Sequence, residues 1–131
     1  KPYIIDEIRH ADGSIDKTKP KEIRQVINGR AAMLVSGMLV NVIDKGHAKQ
    51  AAVKGYYVGG KTGTAQISGP GGYGTETNHT FVGFAPINNP KFVMIVKFEK
   101  PQRAWADGTT APVFGAVADF ALDYYQVPPE R

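Results

Sequence analysis

The stretch Gly59-Gly60-Lys61-Thr62-Gly63-Thr64-Ala65 limits what this chain can become more than any other part of it. Tyr56-Tyr57-Val58 leads into it with aromatic and β-branched residues, which favour a strand. Strand alternation puts Thr62, Thr64 and Gln66 on one face and Lys61 on the other. Two hydroxyls on one face suit a carboxylate, and an exposed strand edge at that place suits an extended peptide. Gly59, Gly60 and Gly63 remove side chains where something must come close. The bland alternative is a glycine-rich edge strand with a solvated lysine.

Gly55-Tyr56-Tyr57-Val58-Gly59-Gly60-Lys61-Thr62 also satisfies the phosphate-loop pattern G-x-x-x-x-G-K-[ST]. That loop needs an apolar strand before the first glycine and a helix opening at the Lys-Thr. Lys49 to Lys54 makes a poor buried strand, and Gly63, Gly69, Pro70, Gly71 and Gly72 do not start a helix. A nucleotide binder is therefore a minor alternative, testable by magnesium-dependent ATP binding.

Composition excludes further classes. A chain of 131 residues is one domain at most, with room for a core. It has no cysteine, hence no disulfide framework and no thiolate metal site. The net charge of +4 is scattered rather than striped, and no RNP-type motif or basic helix occurs, so a nucleic-acid surface is not expected. No signal peptide or membrane span is visible; the longest apolar stretch, Ala31 to Ile43, holds Ser36, Gly37 and Asn41 and is too short to cross a bilayer.

Taken in order, Tyr3 to Ile8 reads as a strand and Asp12-Gly13 as a hairpin turn. Ile15 to Lys21, with Pro20, reads as a loop, and Glu22 to Ile27 as the returning strand. Asn28 suits a helix N-cap. Ala31, Leu34, Val35, Met38, Leu39, Val42 and Ile43 then trace one apolar helix face, with Lys45 and Gly46 at its end. His47 to Lys54 is a polar connection. A strand from Tyr56 to Ile67 carries the motif, Ser68 to His79 reads as a glycine-rich loop, and Thr80 to Ile87 as a second strand. Phe92 to Val96 is apolar without alternation, which predicts burial on both faces. Trp105 stands in the loop from Glu99 to Thr110. Thr110 suits the cap of a last helix whose packing face would be Val113, Val117, Phe120, Ala121 and Tyr124. The expected fold is α+β: a three-stranded antiparallel meander with a C-terminal helix, preceded by a hairpin and an amphipathic helix. Residues 1–54 would form the hairpin-helix part and residues 55–131 the motif-bearing part.

The motif has company. Val58-Gly59-Gly60-Lys61-Thr62-Gly63-Thr64-Ala65-Gln66, Phe81-Val82-Gly83-Phe84-Ala85-Pro86 and Ala111-Pro112-Val113-Phe114 resemble, in order and spacing, the C-terminal part of the transpeptidase domain of class B penicillin-binding proteins. Lys1 to Ile5 and Met38 to Ile43 resemble that family too, so the likeness covers nearly the whole chain. It implies part of a penicillin-binding, β-lactamase-like fold and a cell-wall D,D-transpeptidase as parent. The family acts on a D-alanyl-D-alanine stem peptide, is blocked by β-lactams, needs no cofactor, and works on the extracytoplasmic face of the bacterial inner membrane. By the same resemblance Lys61 acts electrostatically beside an S-x-N serine, and Thr62 and Thr64 contact the substrate or penicillin carboxylate. Gly63 lets the nucleophile's helix approach the strand, and the Thr64 backbone N–H is half of an oxyanion hole.

Other parts of that machinery are missing from the sequence. Ser14-Ile15-Asp16-Lys17 fits S-x-x-K, but in a polar turn and on the wrong side of the family order. No S-x-N follows any of Ser14, Ser36 or Ser68. The nucleophile, the S-x-N loop and the anchor are expected upstream of this chain, which alone should neither acylate nor hydrolyse. A non-catalytic binding or assembly module of the same fold is the other reading. His10, His47 and His79 lack metal-ligand spacing, Asp6-Glu7 face opposite sides of a strand, Asn78-His79-Thr80 is a sequon by pattern only, and Asp119 and Asp123 suit a solvated helix face. Without the upstream strands and helices an apolar sheet face and a strand edge stay uncovered, so self-association is expected.

Overall fold

The computed structural model describes residues 1–131. Strands β1 (Glu7–Arg9) and β2 (Ile15–Lys17) form a small antiparallel hairpin. Its turn is built on Gly13, whose φ of 87° is open to glycine, with the His10 carbonyl accepting from the Gly13 N–H. The returning strand is therefore not Glu22–Ile27 but Ile15–Lys17, inside the stretch expected to be a loop. The Asp-Gly turn is tight, so the partner strand follows it at once. No side chain in residues 1–28 is buried.

Helix α1 (Gly29–Asp44) starts where Asn28 Oδ1 accepts from the Ala31 N–H at 2.8 Å. It ends as the N–H groups of Lys45 and Gly46 both reach the Asn41 carbonyl. Only Ile43 of its expected apolar face is buried, while Leu34, Val35 and Met38 are at least half exposed. A single 3₁₀ turn, Lys49–Ala51, follows.

Strands β3 (Gly59–Gly69), β4 (Gly72–Ala85) and β5 (Phe92–Glu99) form an antiparallel meander in the order β3-β4-β5. Tyr56-Tyr57-Val58 stands just before the strand it was expected to open. The supposed loop from Ser68 to His79 is a hairpin: β3 and β4 stay paired out to Gly69 and Gly72. Gly71 and Gly72, at φ 94° and 123°, let the chain reverse there.

A second 3₁₀ turn, Ala106–Gly108, precedes helix α2 (Thr110–Tyr124), which packs across β4, β5 and the Lys49–Ala51 turn. Its N-cap position is Thr109 rather than Thr110, and the Thr110 hydroxyl donates to the Ala106 carbonyl at 3.0 Å. The packing face also differs from expectation. Val113, Val117, Phe120 and Tyr124 are exposed, whereas Ala111, Phe114, Gly115, Ala118 and Leu122 are buried. The helix runs so close to the 3₁₀ turn that a Cβ on Gly115 would lie 2.5 Å from the Gln50 carbonyl oxygen. Only small residues fit that contact, which turns the face of Ala111, Phe114, Gly115, Ala118 and Leu122 inward and leaves Val113, Val117, Phe120 and Tyr124 outside.

The core joins Ile43, Val53, Tyr56, Val58, Phe81, Phe114 and Leu122, with the Phe81 and Phe114 rings 4.7 Å apart. Gly60 and Gly83 are cross-strand partners beneath those rings; a Cβ on either would meet ring carbon at 2.5 and 2.7 Å. Strand β5 is not buried on both faces. Phe92, Met94 and Val96 pack on the core, but Val93 and Ile95 are 73% and 66% exposed, because only one sheet face carries α2.

Candidate functional site

The motif lies in the edge strand β3, and cross-strand register decides which way its side chains point. Thr62 pairs with Phe81 and Thr64 with His79, and both partners are fully buried on the α2 side of the sheet. Opposed residues share a face, so both hydroxyls lie on that side, as strand alternation predicts. Lys61 pairs with Val82 on the opposite face.

Thr62 and Thr64 form one wall of an open cleft of about 370 Å³. Trp105, Ala106 and Asp107 form the facing wall, and His47 also lines the cleft. Lys61 is not part of that lining. Its ammonium folds over the strand edge, donating to the Thr62 carbonyl at 2.9 Å and to the Thr62 hydroxyl at 3.3 Å. A cation and a hydroxyl thus meet at Thr62, beside a second hydroxyl at Thr64. A planar anion such as a carboxylate is complementary to that group.

The glycines of the motif make room for this chain's own side chains. A Cβ on Gly59 would meet Ile87 at 2.7 Å, and one on Gly63 would meet the Thr80 hydroxyl at 2.4 Å. The phosphate-loop reading does not hold, because Lys61-Thr62 is inside β3 and no helix opens there. Ser14 stands at the first hairpin turn, where its hydroxyl donates to Asp12 Oδ1 at 2.7 Å, without a basic partner.

The approach to β3 is clamped by residues that sequence reasoning passed over. The Glu130 carboxylate accepts from the N–H groups of Tyr57, Ile87 and Asn88 at 3.0, 3.3 and 3.1 Å. The Gly55 carbonyl accepts from Glu130 and Arg131, and the Tyr56 hydroxyl donates to the Val127 carbonyl. The Arg131 guanidinium sits 4.4 Å over the Tyr57 ring. Nothing in the local sequence marks Glu130 and Arg131, since their partners lie far away along the chain. Trp105, Asp107 and His47 were likewise unmarked. A signal for His79 did exist: it stands in series with Phe81, Gly83 and Ala85 on the inward face of β4.

Residues 1–119 match the penicillin-binding protein transpeptidase domain. The chain belongs to that transpeptidase family. Penicillin-binding protein PbpB of Mycolicibacterium smegmatis is 35% identical to it, over 97% of this chain and 22% of the relative. Stage V sporulation protein D of Bacillus subtilis is also 35% identical, over 99% of this chain and 21% of the relative. Penicillin-binding protein 3 of Mycobacterium tuberculosis in complex with ampicillin superposes with a TM-score of 0.83 at 30% identity, covering 95% of this chain and 30% of that one. The aztreonam complex gives the same TM-score at 29% identity, covering 97% and 31%. This transpeptidase segment thus spans about a fifth of the length of those two sequence relatives. No helix in it is long and apolar enough to cross a membrane.

Proposed function

We propose that this segment forms the carboxylate-binding wall of a peptidoglycan D,D-transpeptidase site. Thr62 and Thr64, backed by the Lys61 ammonium, hold the terminal carboxylate of a D-alanyl-D-alanine stem peptide or the carboxylate of a β-lactam. The Thr64 backbone N–H supplies one donor to the oxyanion that develops during acyl transfer. Lys61 adds positive potential beside a proton-shuttling serine. The acylating serine comes from the upstream part of the same domain, and the whole works in the bacterial envelope, on the extracytoplasmic side of the inner membrane.

The observation that carries this reading is the pair of hydroxyls on one face of an edge strand, opening on a cleft, with the lysine ammonium folded onto the first of them. The β-lactam complexes of the similar mycobacterial protein support it.

Fluorescent penicillin, read by intact mass, tests it on this chain and on the protein extended upstream through the nucleophile. The extended protein should form an acyl-enzyme and this chain alone should not. Hydrogen bonds to a charged group contribute about 1.5–3 kcal/mol, so Thr62→Val and Thr64→Val should each slow acylation by roughly ten- to a hundredfold. Labelling of this chain alone would return attention to Ser14. Labelling of neither would leave the non-catalytic module.

A further inference from the structure

His79 is fully buried and hydrogen-bonded at both ring nitrogens. Nε2 lies 3.0 Å from the Thr77 hydroxyl on its own strand. Nδ1 lies 2.9 Å from the Thr109 hydroxyl, 30 residues away. Thr109 closes the 3₁₀ turn Ala106–Gly108, its N–H reaching the Ala106 carbonyl at 3.3 Å, and Thr110 donates to the same carbonyl at 3.0 Å. Ala106 is fully buried, whereas its neighbour Trp105 is 68% exposed at the cleft. On β3, the cross-strand partner of His79 is Thr64. One imidazole thus lies one strand away from a wall hydroxyl and is tied directly to the turn that carries the facing wall.

We infer that His79 is a positioning residue: through Nδ1 and Thr109 it fixes the Trp105–Asp107 wall at a set separation from Thr62 and Thr64, and so sets the width of the cleft. A buried imidazole without partners would be costly, and here each nitrogen has a single one. The two bonds differ in consequence. The bond to Thr77 stays within β4, whereas the bond to Thr109 crosses to the turn that carries the facing wall. The consequence for acylation rests on the function proposed above; the consequence for the wall does not.

The two nitrogens can be replaced one at a time. An asparagine amide branches at the position of Nδ1, and a glutamine amide reaches that of Nε2. His79→Asn should keep the bond to Thr109 and His79→Gln should lose it. Trp105 is the only tryptophan, so acrylamide quenching reports on the wall in this chain without any ligand. His79→Gln and Thr109→Val should raise the quenching constant, and His79→Asn should leave it near the native value. In the upstream-extended protein the same two variants should slow penicillin acylation by roughly ten- to a hundredfold, as misplaced groups do, with His79→Asn again near native. The reverse order, with glutamine native-like and asparagine loosened, would overturn the inference by placing the constraint on Thr77. Equal effects of asparagine and glutamine would reduce His79 to core packing. Should the His79 variants not fold, Thr109→Val decides alone: unchanged quenching sinks the idea. Native ordering of Trp105 quenching in an extended protein that never acylates would refute the proposed function and leave this inference standing.

Discussion

The Arg131 guanidinium holds both carboxylate oxygens of Asp44, at 2.7 and 3.1 Å, across 87 residues of chain. It ties the C-terminal tail to the end of α1, while the same guanidinium covers Tyr57 at the approach to the motif strand. The hydrogen bond from Arg131 holds the Asp44 carboxyl below its ordinary range and raises Arg131 in turn.

A depressed carboxyl contributes stability above its unfolded pKa and loses it as the pH falls through its folded one. The pair should therefore be intact at neutral pH and weaken only below the usual carboxylate range of about 4. Thermal unfolding of the native chain and Asp44→Asn should differ by about 0.5–1 kcal/mol at pH 7, a partly exposed pair being screened by solvent. That gap should narrow as the pH falls below about 4. A gap independent of pH would show that the ion pair is not its source.

Glu130 should matter more. Its carboxylate is the acceptor for backbone N–H groups of Tyr57, Ile87 and Asn88, none of which donates to a backbone carbonyl in the turns. Glu130→Ala should cost about 2–3 kcal/mol, the scale of hydrogen bonds to a charged group. Hydrogen exchange at those three amides should accelerate before exchange in the centre of β4. Uniform acceleration along the sheet would argue against a local clamp.

Glycine-to-alanine substitution should have opposite signs in the two helices. Nothing lies within 4 Å of a Cβ on Gly37, so Gly37→Ala should stabilise α1 by about 0.5–1 kcal/mol. On Gly115 the added carbon meets the backbone of the Lys49–Ala51 turn, and Gly115→Ala should cost about 1–3 kcal/mol. Urea unfolding of both variants would check the contrast; equal effects would mean that α2 can slide away from the turn at little cost.

The sheet face opposite α2 exposes Val82, Val93 and Ile95 together, with Ile95 directly across from Val82. A contiguous apolar face of this kind drives association. Sedimentation velocity should show concentration-dependent self-association of the isolated chain, and Ile95→Lys should weaken it without lowering the unfolding midpoint. A clean monomer at high concentration would remove this surface as a cause of association.

Helix α1, its Asn28 cap, the meander and the common face of Thr62 and Thr64 were all legible in the residues. They rest on local rules: a 3.6-residue period, a side-chain oxygen reaching an N–H three residues on, and alternation along a strand. The family likeness was legible for a related reason, since the motif residues sit on consecutive strand positions. The exposed face of α2 was not. Val113, Val117, Phe120 and Tyr124 have the period of a core face, yet the close backbone approach at Gly115 turns the face of Ala111, Phe114, Ala118 and Leu122 inward, and only the path of the Lys49–Ala51 turn creates the approach. The cleft was beyond local reading as well. Its far wall comes from Trp105 to Asp107, more than forty positions after Thr62, and its supports are His79 bonded to Thr109 and Glu130 bonded to Tyr57. The sequence alone determined which groups stand on the motif strand and which of them share a face, because periodicity is local. The tertiary structure alone decided what faces them, because hydrogen bonds between distant segments exist only once the sheet and α2 have packed.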